Sequence, residues 1–292
     1  MLSAILERVD LHTHSAYSDG VLAPRELVAR AAARAVGLLA LTDHDTLDGC
    51  PEAAAACAER GIQFVPGIEL SATWRGQAVH VIGLAAHLHC ETLTAHARRI
   101  VVQRRERVAE IGERLERRAR LPGSEIARLV LERWPVPTRQ HLARELVERR
   151  LAANTQDAFD RLLGRGRHGY VPAAWPALEV TVAVLRAGCR EVVIAHPHRY
   201  RLSAGALRNL VTEFATLGGT ALEVSLAGMS PGDMGRIGRL ARSHALAGSA
   251  GSDFHDPAVP WNPLGRWLKL ADGIAPLAER LHAGLAGRTH GA

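Results

Sequence analysis

Imidazoles and carboxylates recur in short clusters from one end of this chain to the other, and each cluster lies on or just after a short apolar run of strand character. The first is Asp10-Leu11-His12-Thr13-His14, followed by Asp19-Gly20. Then come Thr42-Asp43-His44-Asp45, Gly67-Ile68-Glu69, His80, Ala195-His196-Pro197-His198 and Gly251-Ser252-Asp253-Phe254-His255. If these groups act together, the fold must bring residue 12 and residue 255 to one place. Few architectures do that. Nitrogen and oxygen donors without thiolates suit two or three divalent ions of the Mn, Fe(II) or Zn type, and argue against Fe–S or Cys-type structural zinc sites.

The segments between the clusters alternate strand and helix. Short strands are expected at Arg8–Leu11, Leu38–Leu41, Ile62–Val65, Ala78–Leu84, Glu191–Ala195, Ala221–Ser225 and Leu246–Ser249, with a further one at Trp267–Leu270. Helices are expected at Pro24–Val36, Asp48–Arg60, Glu179–Ala187, Ala204–Leu217 and Pro231–His244, and a last one after Ala271. Proline suits a first helical turn and glycine a helix stop, as at Pro24, Gly37 and Gly61. About seven βα units without a dinucleotide-binding fingerprint indicate a closed or nearly closed barrel. In such a barrel the active site is built at the C-terminal ends of the strands, where His12, His14, His44, Glu69, His196, Asp253 and His255 fall. Alternate residues of an extended chain face one side, so His12 with His14, and Asp253 with His255, can each grip one ion.

Each motif has a plainer reading. A strand His-x-His is often only packed, Asp19 before Gly20 suits a turn, and Asp43 or Asp45 suits a helix cap. What the plain readings leave unexplained is why all of them fall at strand ends. His87 and His89 also form His-x-His, but at the exit to the next segment, and are read as surface residues. His198 either lines the pocket as a proton donor or simply follows Pro197 in a loop.

Residues 93–169 break the alternation. Val101, Val108, Ile111 and Leu115 share a helical face that ends at Pro122-Gly123, Ser124 can cap a following helix, and Thr138–Leu151 and Asn154–Leu163 read as two more. The expected organisation is therefore a barrel domain of 1–92 and 170–292 with a helical insertion, 93–169. The long helix is rich in arginine. Most of these charges suit a solvated face with i, i+4 pairs such as Glu110–Arg114. Arg104, Arg105 or Arg107 could instead face the rim and grip phosphate, and Thr138-Arg139 could do so at a helix N-terminus. The loop Gly166–Tyr170 could cover a pocket. The net charge of +6 fits a polyanionic substrate equally with an arginine-rich coding bias. Four cysteines without a CxxC pair, no signal-peptide pattern and no membrane-spanning apolar stretch lead to the expectation of a cytoplasmic chain.

The set DLHTHSAYSDG, LTDHDT, PGIELSA, HVIGL, AHPHRY and GSDFH resembles the PHP (polymerase and histidinol phosphatase) family over nearly the whole chain. The insertion, with PTRQHLAR and GYVP, looks most like the branch of 3′,5′-nucleoside bisphosphate phosphatases and the 5′→3′ exoribonuclease ribonuclease AM. The resemblance implies a distorted (β/α)7 TIM-like barrel, with an inserted helical subdomain, and a trinuclear centre. One metal would be held by His12, His14, Glu69 and Asp253. Glu69 would bridge to a second on His80 and His196, and Asp19, His44 and His255 would hold a third. Mn2+ is the first expectation, with Fe2+ or Zn2+ as alternatives. Substrate contacts are implied for Asp19, His44, Gln103, Arg104, Arg105, Glu106, Thr138 and Arg139. His198, where relatives can have Gly, and the Arg-crowded 103–107 stretch are departures from the pattern.

The expected activity is hydrolysis of the 3′-phosphate of nucleoside 3′,5′-bisphosphates, exonucleolytic cleavage of 5′-phosphorylated RNA, or both. The substrate is then a nucleotide bisphosphate or a short 5′-phosphorylated RNA, and no membrane or obligate protein partner is expected. The competing readings are a phosphatase for a small monoester of the histidinol phosphate type and a non-catalytic metal-binding accessory module.

Overall fold

The computed structural model describes residues 8–259, 263–265 and 270–286. The element order is β1 (Val9–Asp10), α1 (Pro24–Ala33), β2 (Leu38–Leu41), α2 (Cys50–Glu59), β3 (Gln63–Trp74) and β4 (Gln77–Ala86). Four helices follow without a strand: α3 (Glu91–Ala119), α4 (Gly123–Arg133), α5 (Arg139–Glu148) and α6 (Thr155–Ala158), the last running into a π-helical turn at Phe159–Leu163. Alternation then resumes with α7 (Leu178–Gly188), β5 (Cys189–Ile194), α8 (Ala204–Thr216), β6 (Ala221–Leu226), α9 (Pro231–Ser243), β7 (Ala247–Gly251) and α10 (Leu277–Ala286). The further strand expected at Trp267–Leu270 falls largely outside the described residues.

The seven strands form one sheet in sequence order, and its two edges meet. Leu11 N–H donates to Ala250 O at 3.0 Å, and the chain just beyond β1 bridges to that beyond β7 through Thr13 and Phe254. A Cβ at Gly251 would lie 2.6 Å from His12 Cβ, so glycine is what allows this approach. The interior is a single apolar cluster with a contribution from every strand: Val9, Leu38, Val65, Ile82, Val193, Ala221 and Ala247, among others. Leu277, Ala278 and Leu281 of α10 belong to the same cluster, so the helix plugs the end of the barrel away from the C-terminal rim.

The structure departs from a uniform βα repeat in one place. β3 is three times the length that Ile62–Val65 suggested, and it turns at Arg75-Gly76 straight into β4, which runs antiparallel to both β3 and β5. Ending the strand at Val65 left residues 66–77 as a connection long enough for a parallel crossover, whereas the two-residue turn that the longer strand leaves permits only an antiparallel hairpin. The reversal has a purpose for the site. His80 sits near the start of β4, and because that strand points downward its start lies at the rim where the parallel strands end. For the same reason Glu69 lies within β3, paired to Ile82, instead of after a strand.

Helices α3 to α6 pack around their own apolar cluster, which includes Val108, Ile111, Leu115, Ile126, Val130 and Leu142. The first turns of α3, with Leu93, Ala97 and Ile100, belong to the main core. Ser124 does not cap α4; the N-cap is Pro122. Thr138 does cap α5, its Oγ1 accepting from Gln140 N–H at 3.1 Å.

Candidate active site

The nine imidazoles and carboxylates expected as metal ligands converge on the C-terminal rim. His12 Nε2 lies 3.0 Å from His14 Nε2, 3.4 Å from Glu69 Oε2 and 3.3 Å from Asp253 Oδ1. His14 Nε2 is 3.2 Å from the same Glu69 oxygen and 3.4 Å from the same Asp253 oxygen. The other Glu69 oxygen, Oε1, is met by His80 Nδ1 at 3.1 Å and His196 Nε2 at 3.0 Å. His255 Nε2 lies 3.2 Å from Asp19 Oδ1, and His44 bridges the groups, with Nδ1 3.0 Å from Glu69 Oε2 and Nε2 3.8 Å from Asp19 Oδ2. Three donor sets emerge: His12, His14 and Asp253; His44, Glu69 and His80; and His14, Asp19, His44 and His255.

The donor set fits divalent cations. His14 Nδ1, Asp19 Oδ1, His44 Nδ1, Glu69 Oε2 and His196 Nδ1 are buried without a hydrogen bond, a costly arrangement that ligation removes. His12 Nε2 and His14 Nε2, 3.0 Å apart, can share a proton as a hydrogen bond, and the positive charge of a cation can take that proton's place. The local potential calls for that charge. Burial opposes the charged forms throughout, yet Glu223, Glu69 and Asp253 lift His12 well above its usual range, and His14 is raised to about 10. Burial would raise the Glu69 carboxyl too, but the imidazoles of His44, His12 and His80 hold it well below the usual range, and Asp19 and Asp253 are held down likewise. His44 and His196, in contrast, are pushed down by burial, since a cluster this tight cannot protonate every ring.

Backbone strain supports the arrangement. Asp45, His196 and Asp253 occupy left-handed conformations with φ of 51°, 31° and 53°. Non-glycine residues hold such conformations where surrounding structure over-determines them.

Three groups at the site were not singled out in the sequence. Glu223, fully buried in β6, accepts from His12 Nδ1 at 2.9 Å and from His196 N–H at 2.5 Å. Its signal was available: a carboxylate inside the apolar run ALEVS needs a partner. Arg199 pairs with Asp253 Oδ2. Arg144 Nη2 donates to Asp19 O at 2.7 Å. Asp43 and Asp45 are not helix caps. Asp43 accepts from Ser15 N–H, Ser15 Oγ and Ser18 Oγ at 2.6–2.7 Å, and so orders the loop that carries Asp19. Asp45 accepts from Arg104 Nε at 2.6 Å and Ser71 N–H at 3.0 Å.

Asp19, His44 and His80 line the floor of a cavity of about 560 Å3, which is roofed by Arg104, Arg107, Thr138, Arg139, Phe159 and Arg165 from the helical segment and by Tyr170 just after it. Tyr170 comes from the expected covering loop. Arg104 and Arg107 are three apart and share a helix face. Both guanidinium groups lie over the Trp175 ring, 5.1 and 5.5 Å from its centroid. Burial first, and then the nearby Arg139 and Arg104, lower Arg107 to about 9. Arg105 is turned away: it is exposed and donates to Leu131 O at 3.1 Å. Glu106 is exposed, and neither it nor Gln103 lines the cavity. One residue along a helix is a rotation of about 100°, so the 103–106 stretch could not all face one site. His87 and His89 are exposed, as expected. His198, pushed down to about 4 by burial and by Arg199, does not line the cavity.

A rim of hard and borderline donors beneath a basic roof defines a hydrolase of phosphate esters that works through divalent metal. The PHP domain family matches residues 10–177. The 5′-3′ exoribonuclease Rnm of Escherichia coli is 41% identical over 271 residues, 91% of this chain and 90% of that protein. The 3′,5′-nucleoside bisphosphate phosphatase of Chromobacterium violaceum is 36% identical over 278 residues, 95% of this chain and 98% of that one. Among solved structures, an amidohydrolase from Chromobacterium violaceum with bound sulfate superposes with a TM-score of 0.88 at 37% identity, covering 94% of this chain and 96% of that one. The chain belongs to the PHP domain family. Among the described residues, no helix is long and apolar enough to cross a membrane.

Proposed function

We propose that the enzyme removes the 3′-phosphate of nucleoside 3′,5′-bisphosphates and cleaves 5′-phosphorylated RNA from its 5′ end. The observation that carries this reading is the shared cavity: a metal-type donor cluster on its floor and arginines from the insertion, residues 93–169, on its roof. Relatives named for each of the two activities match this chain over at least nine-tenths of its length.

In this reading His12, His14, Asp19, His44, Glu69, His80, His196, Asp253 and His255 hold two or three ions, with Mn2+ first and Fe2+ or Zn2+ as alternatives. Such ions supply Lewis-acid charge and a water whose pKa falls toward ~7. The chain's own residues do the rest. Arg107 and Arg139 hold the 5′-phosphate, with Arg104 fixed beside them by Asp45. Thr138 caps the helix that presents Arg139. Holding the far phosphate places the 3′-phosphoryl group over the floor, which is how remote binding energy becomes positioning. Water's oxygen forms the new P–O bond as the bond to O3′ breaks, and the 3′-hydroxyl leaves with a proton. A small monoester lacks the second phosphate that such a roof would hold, which disfavours the histidinol phosphate type of substrate.

The test is phosphate release from adenosine 3′,5′-bisphosphate by Mn-loaded protein, with Asp253→Asn as control. Phosphate and 5′-AMP should appear with the wild type and be lost in the variant. Metal binding without any release would sink the nucleotide assignment.

A further inference from the structure

We propose that Arg165 and Arg201 form a second anion site at the cavity mouth, which takes the next phosphate of a 5′-phosphorylated polynucleotide. The proposal rests on the phosphoesterase reading above. A nucleoside bisphosphate has only two phosphates, one for the floor and one for Arg107 and Arg139. The arginines that line the cavity outnumber those needs.

Most of them are already engaged within the protein. Arg104 is held by Asp45 and Arg199 by Asp253. Arg107 donates twice to Val171 O, at 3.0 and 2.8 Å. Arg139 lies 5.5 Å from the Phe159 ring centroid. Arg165 and Arg201 line the same cavity, are exposed, and make no hydrogen bond or ion pair among the described residues. They come from unrelated segments. Arg165 follows the π-helical turn Phe159–Leu163 of the insertion, and Arg201 follows the 3-10 turn Pro197–Arg199 beyond β5. Asp19, the one carboxylate among the lining residues, is on the floor and is engaged by His255. Two unneutralised guanidinium groups at one opening leave a positive potential that an anion would satisfy.

The chemistry of a chain substrate sets which anion that is. In RNA the scissile phosphoryl group carries the next nucleoside, whose own 3′-phosphate then lies one nucleotide farther out, toward the mouth. A planar guanidinium fork suits a phosphodiester oxygen pair. Solvated surface arginines would fit the same coordinates but would not distinguish chain length.

The experiment compares adenosine 3′,5′-bisphosphate with a 5′-phosphorylated adenosine trinucleotide on wild type, Arg165→Ala, Arg201→Ala and the double variant. Both kcat/KM with Mn2+ and Kd in EDTA are measured. The preference for the trinucleotide should weaken about 5- to 10-fold per arginine, the trinucleotide-to-bisphosphate ratio of kcat/KM falling and that of Kd rising by this factor. The salt slope of trinucleotide binding should shrink by about 0.7 per arginine. Equal losses on both substrates, or no loss, would overturn the mouth site. If the wild type turns over neither substrate the phosphoesterase reading fails, while the ratio of Kd values still decides whether the mouth binds the chain.

Discussion

Glu223→Gln offers the sharpest single-atom perturbation of the site. Both oxygens of Glu223 accept, one from His12 Nδ1 at 2.9 Å and one from His196 N–H at 2.5 Å. An amide keeps the shape but replaces one acceptor with a donor. If the amide nitrogen faces His196 N–H, two donors meet inside a fully buried strand. If it faces His12, the ring must surrender its Nδ1 proton and carry one on Nε2, the atom that lies among His14, Glu69 and Asp253. Either outcome costs about 2 kcal/mol, the penalty for an unsatisfied buried polar group. At about 1.4 kcal/mol per decade this is roughly 30-fold in metal affinity, within the ~10–100-fold usual for groups that orient a ligating histidine. Calorimetric titration with Mn2+ should show that loss at one site, and activity should return at higher Mn2+. A variant that keeps its fold and binds Mn2+ with wild-type affinity would refute the reasoning.

Three further expectations follow from named contacts. Arg107→Ala should raise KM for a bisphosphate about 10-fold or more, whereas Arg105→Ala, on the outer face of α3, should leave it unchanged; steady-state kinetics separates the two. His141, buried and stacked 4.4 Å from Trp134, is pushed by burial down to about 4, so the folded state resists its protonation. Its contribution to stability is complete above about 6.5 and is lost as pH falls through 4, at most about 3 kcal/mol; His141→Gln should flatten the Tm profile in that window. A Cβ at Gly112 would meet Ala127 Cβ at 2.5 Å and Gly123 O at 2.6 Å, so Gly112→Ala should cost about 1–3 kcal/mol by denaturant titration, through separation of α3 from α4.

The cluster of nitrogen and oxygen donors was legible in the sequence because donors at strand ends carry both chemistry and position. Nothing comparable marked β4. With β3 read as ending at Val65, the residues before Ala78 left room for a parallel crossover, so the direction of β4 and the upward placement of His80 had to come from the sheet. The 103–107 stretch shows a related limit. Its composition announced an anion site, but only helical rotation decides that Arg104 and Arg107 face inward and Arg105 outward. Glu223 was readable from its apolar neighbours, while Arg144 was not. Its contact with Asp19 joins residues 125 apart in sequence, and an arginine midway along an amphipathic helix looks like any solvated one.

The 29-residue helix α3 has its early turns packed in the main core and its later turns in the separate apolar cluster of the insertion. It works as a beam built into two walls. A hinge would need a break between those walls, and that span is unbroken helix, with Arg104 bolted there to Asp45 behind β2. The height of the roof over the rim is therefore set from within the main core, and a substitution in the early turns of α3, far from any substrate, would be felt as a change in the clearance of the cavity.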